Sequence, residues 1–149
     1  MSIDIVFFHV ITTVAMTIII WVVQVIIYPM FLYVSTSDFP MYHSVYSRRI
    51  TMLVAPLMVV ELCSGFGLFF FREHHHIVQY VSPFCLIANC LVLAVIWFCT
   101  LFLHVPQHDY LSNGWHEETI RALIRTNRIR TALWTLRCAL WVWIIVRYS

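Results

Sequence analysis

The sequence predicts an all-α, integral-membrane four-helix bundle, and three observations carry that prediction. Of 149 residues, 62% are hydrophobic and only 11% charged, with a mean hydropathy of +0.85; average proteins carry ~25% charged residues. The apolar residues are gathered into four long runs, and about 20 of them, rising 1.5 Å each, cross a bilayer. The polar connections are short, so the chain forms one transmembrane domain, residues 1–149, in contact with the lipid bilayer. A net charge of +2 is too small to argue for nucleic acid as a partner.

The first span covers residues 5–34. It starts at Ile5 with no basic segment before it and no small-residue cleavage site, which reads as a retained span and not a signal peptide. His9, Thr13, Thr17, Gln24 and Tyr28 fall within roughly 100° of one another on a helix. That stripe should face other helices, since a polar group toward lipid finds no partner. Pro29 is expected to kink or end the helix. The connection over residues 35–49 contains Pro40, from which a short interfacial helix is expected, with Tyr42 and Tyr46 at headgroup level. The second span covers residues 50–71 with Glu61 at its midpoint; Glu61, Ser64, Gly65 and Leu68 share a face whose small residues let a neighbour come close.

Residues 72–76 make a very short link, so the second and third spans form an antiparallel hairpin. The third span covers residues 77–103, with Asn89, Thr100 and His104 loosely on one face and Pro106 weakening the helix beyond. Residues 109–114 read as a turn, with Ser112 or Asn113 as helix cap and Glu117 and Glu118 in the first turn of an arginine-rich helix. That helix either lies along the membrane surface or extends the fourth span, residues 129–146. It carries two stripes: Arg121, Arg125 and Arg128 form a solvated or phosphate-facing edge, while Asn127, Arg130, Trp134 and Arg137 point inward.

All nine basic residues are arginine, which suits buried cations because the guanidinium stays charged and bonds in a fixed fork; codon bias is the plain alternative. The first and third connections hold Arg48, Arg49, Arg121, Arg125, Arg128 and Arg130, against Arg72 and Arg147 on the other side. The positive-inside rule then puts the long connections in the cytoplasm and both termini outside. Cys63, Cys85, Cys90, Cys99 and Cys138 all lie in apolar runs without a CxxC pair, as small core residues do.

Chemistry is expected at two places. Glu61 and Arg137 sit at matching depths in the second and fourth spans, where each alone costs ~2.5–3.5 kcal/mol on insertion scales. They should meet as a buried ion pair, either catalytic or a structural clasp. Near the cytoplasmic side, Gln24, Tyr28, His43, His104, His108, Asn127 and Arg130 come from four elements to one level. His43 and His104 would handle protons, and Gln24, Tyr28, Asn127 and Arg130 would bind a substrate's polar head. His104 and His108, four apart, with His43 as a third, form a candidate transition-metal site; interfacial histidines more often meet water and headgroups. His9 and the triplet His74, His75, His76 fall on the outer side, where adjacent histidines are usually solvated, though a haem between His9 and one of them is conceivable.

These elements resemble a known group. The run Gln24 to Phe31 (Gln-Val-Ile-Ile-Tyr-Pro-Met-Phe), Ser47 to Thr51, Glu61, Val105 to His108, Arg125 to Thr131 and Trp134 to Arg137 are similar to an uncharacterised family of small bacterial four-span membrane proteins. The resemblance covers nearly the whole chain, and the Thr126-Asn127 to Arg130-Thr131 element is its most specific part. More distantly, the chain resembles four-span anthrone-oxygenase-like proteins, which implies oxidation of polycyclic aromatics. His9 followed by Trp21 and Tyr28-Pro29 is similar to the four-span protoporphyrinogen oxidases, which implies a haem.

The expected function is therefore a membrane-embedded enzyme, redox in class, acting on a lipophilic small molecule at a polar intramembrane site open toward the cytoplasm, in the bacterial inner membrane. One rival is a non-catalytic accessory subunit or homo-oligomeric scaffold, whose polar stripes are glue between helices and whose arginine edge meets anionic lipid. A third reading is a small transporter or proton pathway through Glu61.

Overall fold

A computed structural model describes residues 5–74 and 78–148, with the backbone alone at Arg72. Four helices dominate: α1 (Ile5–Tyr33), α2 (Phe39–Phe70), α3 (Pro83–Leu111) and α4 (Glu117–Tyr148), each long and apolar enough to cross a membrane. No strand occurs among the described residues. Large apolar side chains such as Phe7, Ile18, Val25, Leu91, Phe98, Leu136 and Val142 are exposed on the outside of the bundle. An exterior so apolar is costly in water and at rest in hydrocarbon, so the protein is an integral membrane protein.

The helix ends depart from the expected spans, and prolines explain why. α2 begins at Phe39 and absorbs the expected interfacial helix, because Pro40 stands in the first turn, where its missing N–H is no loss. α3 begins at Pro83 for the same reason and not at residue 77; Val78–Tyr80 form a separate 3-10 turn before it. The link between α2 and α3 is correspondingly longer than expected, and Ile77, His75 and His76 lie outside the described residues. α4 is one helix of 32 residues, about 48 Å at 1.5 Å per residue, so the arginine-rich segment extends the fourth span. Glu117 and Glu118 occupy its first turn as expected. The cap falls at His116, whose carbonyl accepts from Ile120 N–H at 3.0 Å, and not at Ser112 or Asn113.

Pro29 and Pro106 do not end their helices. Each stands two residues past the end of a five-residue π-helical segment: Val23–Ile27 in α1 and Thr100–His104 in α3. A proline ring clashes with the carbonyl four residues back. The wider π turn moves that carbonyl away, and the helix continues with a changed rotation. In α1 the first residue after the bulge is Tyr28; in α3 the last residue within it is His104.

Successive helices pack side by side, α1 on α2, α2 on α3 and α3 on α4, and α4 closes against α1. The bundle core has three apolar layers. Val6, Leu68, Leu86, Trp141 and Ile144 fill the end that carries the chain termini. Met16, Ile20, Met58, Ile96 and Trp134 fill the middle. Tyr28, Phe31, Phe39, Leu111, Ile120 and Leu123 fill the end where residues 34–38 and 112–116 turn. Polar side chains concentrate at the two boundaries between these layers.

Candidate functional site

The boundary nearer the termini holds the ion pair the sequence leads one to expect. Arg137 Nη1 bonds Glu61 Oε1 at 2.5 Å, with both side chains buried. Thr13 Oγ1 donates to the same carboxylate oxygen at 2.8 Å, and Trp134 Nε1 donates to Oε2 at 3.1 Å. Arg137 Nε donates to Asn89 Oδ1 at 3.0 Å, and Trp141 Nε1 reaches that oxygen at 3.3 Å. Arg137 Nη2 lies 3.3 Å from His9 Nε2. A guanidinium only donates, so His9 Nε2 accepts and its proton sits on Nδ1, which donates to Ser64 Oγ at 2.8 Å. All four helices contribute, and both charges are enclosed by partners, as charges in a low-dielectric interior require.

Gly65 makes this closure possible, since a Cβ there would stand 3.2 Å from His9 Cε1. Gly65→Val is expected to push His9 off Ser64 and Arg137 and to cost about 1–3 kcal/mol by overpacking. Denaturation in detergent micelles checks this, with the smaller Gly65→Ala falling between the two.

The other boundary opens into a cavity of about 280 Å³. Met16, Ile20, Val54, Met58 and Trp97 make its apolar walls, while Tyr28, Tyr46, His104, His108 and Arg130 gather at one end. Of its lining, Thr51 and Ala55 of α2 and Leu101 and Val105 of α3 are exposed, so its mouth faces sideways between α2 and α3, toward lipid. The two π segments shape it: Val23 lines it from the first and Tyr28 from the residue just after it, and Thr100, Leu101 and His104 from the second.

Three polar atoms of that lining are unpartnered among the described residues: His104 Nε2, Arg130 Nε and Trp97 Nε1, the last an indole N–H donor. His104 Nδ1 lies 2.9 Å from the Cys99 carbonyl. A carbonyl can only accept, so Nδ1 carries the proton and Nε2 offers a bare lone pair. That Nε2 is buried with no hydrogen-bond partner among the described residues, and so is Arg130 Nε. Arg130 is only 6% exposed and pairs with no carboxylate among the described residues. Its guanidinium stands over the Trp134 ring at 5.2 Å and interacts with the Tyr28 hydroxyl. Two free N–H donors and a free nitrogen acceptor thus belong to one cavity lining.

The residues singled out in the sequence divide between these places. Tyr28, His104, His108 and Arg130 line the cavity; Glu61 and Arg137 sit in the other cluster and do not. Gln24 and Asn127 stitch α1 to α4: Asn127 Nδ2 donates to Gln24 Oε1 at 3.0 Å, and Gln24 Nε2 to the Ile124 carbonyl at 3.2 Å. His43 stands behind the cavity wall, its Nε2 2.9 Å from His108 Nδ1. With His43 and His108 bonded to each other and His104 held on Cys99, the three imidazoles do not converge as a metal-ligand set. No group of three or more His, Cys, Asp or Glu suited to a metal ion occurs among the described residues. His9 does not fit a haem iron either, since Ser64 and Arg137 engage both its nitrogens. It is fully buried, on the inward stripe that the sequence predicts.

Tyr46 is expected at headgroup level and Ser112 as a helix cap. Tyr46 and Trp97 line the cavity, and Ser112 lies 3.3 Å from His43. Arg130, counted among the connection arginines, is buried in the bundle; Arg48, Arg49, Arg121, Arg125 and Arg128 are the exposed ones at that end.

Fold and site together define a four-helix integral membrane protein with a closed charged clasp and a laterally open cavity. No family model, curated protein or solved structure matches the chain.

Proposed function

We propose that the protein is a membrane-embedded enzyme that takes a lipophilic small molecule from the bilayer and handles protons at the oxygen of its polar head. The observation that carries this reading is the set of unpartnered atoms in the cavity lining, the donors Arg130 Nε and Trp97 Nε1 and the acceptor His104 Nε2. Burying a donor and an acceptor without partners costs stability, and a bound hydroxyl satisfies both: its oxygen accepts from Arg130 while its hydrogen goes to His104. A carboxylate would serve the N–H donors of Arg130 and Trp97 but leave His104 Nε2 without a hydrogen. The apolar walls and the mouth toward lipid suit an aromatic or isoprenoid body, and an engineered apolar cavity of about 150 Å³ already takes benzene.

Tyr28 and His108, bonded at 3.0 Å in the same wall, supply acid–base groups. Redox chemistry on a phenolic or quinone-like head fits this lining, because such heads exchange protons as electrons move; the electron partner would come from outside the bundle. The scaffold reading accounts for the Glu61–Arg137 cluster, whose polar groups are helix-to-helix glue, but not for the cavity. The surplus of exposed arginines at the 34–38 and 112–116 end favours placing that end in the cytoplasm and the termini outside. The resemblance to small bacterial four-span proteins favours the bacterial inner membrane.

The test is calorimetric titration of a naphthol, and separately its methyl ether, into nanodiscs with and without the protein. Saturable binding of the naphthol, weakened roughly tenfold in the ether, which keeps its oxygen for Arg130 but leaves the buried His104 Nε2 without a hydrogen, is the expected result. Equal affinities, or no heat beyond that of empty discs, would overturn the reading. An absorbance spectrum and metal analysis of the purified protein bear on the redox class.

A further inference from the structure

Groups that trade protons inside oil need a way to exchange them with water, and the cavity wall is joined to the surface by a single file of hydrogen bonds. Ser112, exposed just past the end of α3, has its Oγ 3.3 Å from His43 Nδ1. His43 Nε2 lies 2.9 Å from His108 Nδ1, and His108 Nε2 lies 3.0 Å from the Tyr28 hydroxyl on the cavity lining. Three helices thus contribute to one line of contacts.

The line has a direction. Ser112 has one hydroxyl hydrogen and gives it to the His108 carbonyl at 3.0 Å, so toward His43 its oxygen accepts. His43 therefore carries its proton on Nδ1, and its Nε2 accepts from His108 Nδ1–H. His108 Nε2 then accepts from the Tyr28 O–H. Every donor points outward, from cavity to surface. The rings are insulated on the way: His43 is fully buried, stacked on Phe39 at 5.5 Å and met edge-on by Phe31 at 5.6 Å. Tyr46 stands 6.4 Å from the His43 ring and 6.2 Å from the His108 ring, and Ser47 makes only a long 3.5 Å contact to His43 Nε2.

The geometry points to this file as a proton exit from the cavity, an inference that rests on the cavity being the site of proton chemistry. The ligand hydroxyl first turns its hydrogen from His104 to Tyr28; its O–H bond then breaks as that proton joins the Tyr28 oxygen, and the original Tyr28 proton passes to His108 Nε2. The His108 Nδ1 proton passes to His43 Nε2, the His43 Nδ1 proton to Ser112, and the Ser112 proton to surface water. One proton enters the line and one leaves it. No ring gains charge, and each imidazole ends as its other tautomer, reset by the reverse shift. The ligand's oxygen is left anionic beside the Arg130 guanidinium. Tyr28 would touch the ligand; His43 and Ser112 act only through it.

Two measurements test the exit. In nanodiscs, the naphthol's conversion to naphtholate after a stopped-flow jump to alkaline pH reports proton loss from the cavity, empty discs being subtracted. His43→Phe, which keeps the aromatic packing, and His43→Gln, which keeps polarity but cannot shift tautomers, are both expected to slow it roughly tenfold or more with binding affinity unchanged. An unchanged rate in either variant that binds the naphthol as wild type does overturns the exit and leaves the cavity reading standing. Absence of naphthol binding to the wild-type protein overturns the cavity reading and the exit with it. Independently of any ligand, nitrogen-15 spectra of histidine-labelled protein at neutral pH are expected to show His43 and His108 both protonated at Nδ1; Nε2 protonation of either overturns the exit.

Discussion

Arg137→Met is expected to destabilise the protein by about 3–5 kcal/mol, the cost of leaving one member of a buried ion pair without its partner. The methionine keeps the apolar stem but abandons Glu61, whose carboxylate would then hold only the Thr13 hydroxyl and the Trp134 indole N–H. Asn89 and His9 lose a donor at the same time. The double variant Glu61→Gln/Arg137→Met should recover most of the loss, because a neutral amide oxygen accepts from Thr13 and Trp134 without a buried charge to balance. Urea unfolding in mixed micelles, run on both singles and the double, gives the coupling directly. Additive effects would show that the two charges do not stabilise each other.

The same substitution seven residues earlier is expected to act in the opposite sense. Arg130 is buried with no carboxylate partner among the described residues and with Nε unpartnered, so Arg130→Met removes an uncompensated buried charge. Replacing buried ionic groups with apolar ones of similar size has stabilised other proteins by about 1–4 kcal/mol, and a gain in that range is expected here. Binding of the naphthol should fall by roughly tenfold to a hundredfold, the worth of a hydrogen bond to a charged donor. Unfolding and titration of one preparation check both. A loss of stability would mean that the Trp134 and Tyr28 contacts make Arg130 a structural residue.

That contrast also marks what the sequence discloses. Hydropathy is enough for four spans, and the helical period is enough to put His9 and Thr13 on one inward stripe and Arg130, Trp134 and Arg137 on another. Matching depths were enough for the Glu61–Arg137 bond. What the stripe does not show is that it crosses two layers. Arg130 and Arg137 are about 10.5 Å apart along the axis at 1.5 Å per residue, so one set of expected site residues became a closed clasp and an open cavity. The helix ends were misplaced where proline's two meanings conflict: at Pro40 and Pro83 it begins a helix, at Pro29 and Pro106 it interrupts one without ending it. The shared level of Tyr28, His43 and His108 was legible, but Ser112's part and the order of the contacts were not, because they depend on how three packed helices turn their side chains.

A π turn differs from an α turn by a single amino acid. Each bulge is therefore a removable spacer: taking out the lipid-facing Phe102 of the second, or Val25 of the first, would return that stretch to ordinary helix while the flanking turns kept their partners. The chamber's width and the aim of Tyr28 and His104 could then drift over generations by one-codon insertions and deletions. The charged clasp at the far end would hold the bundle together throughout, leaving ligand choice free to change without the fold being put at risk.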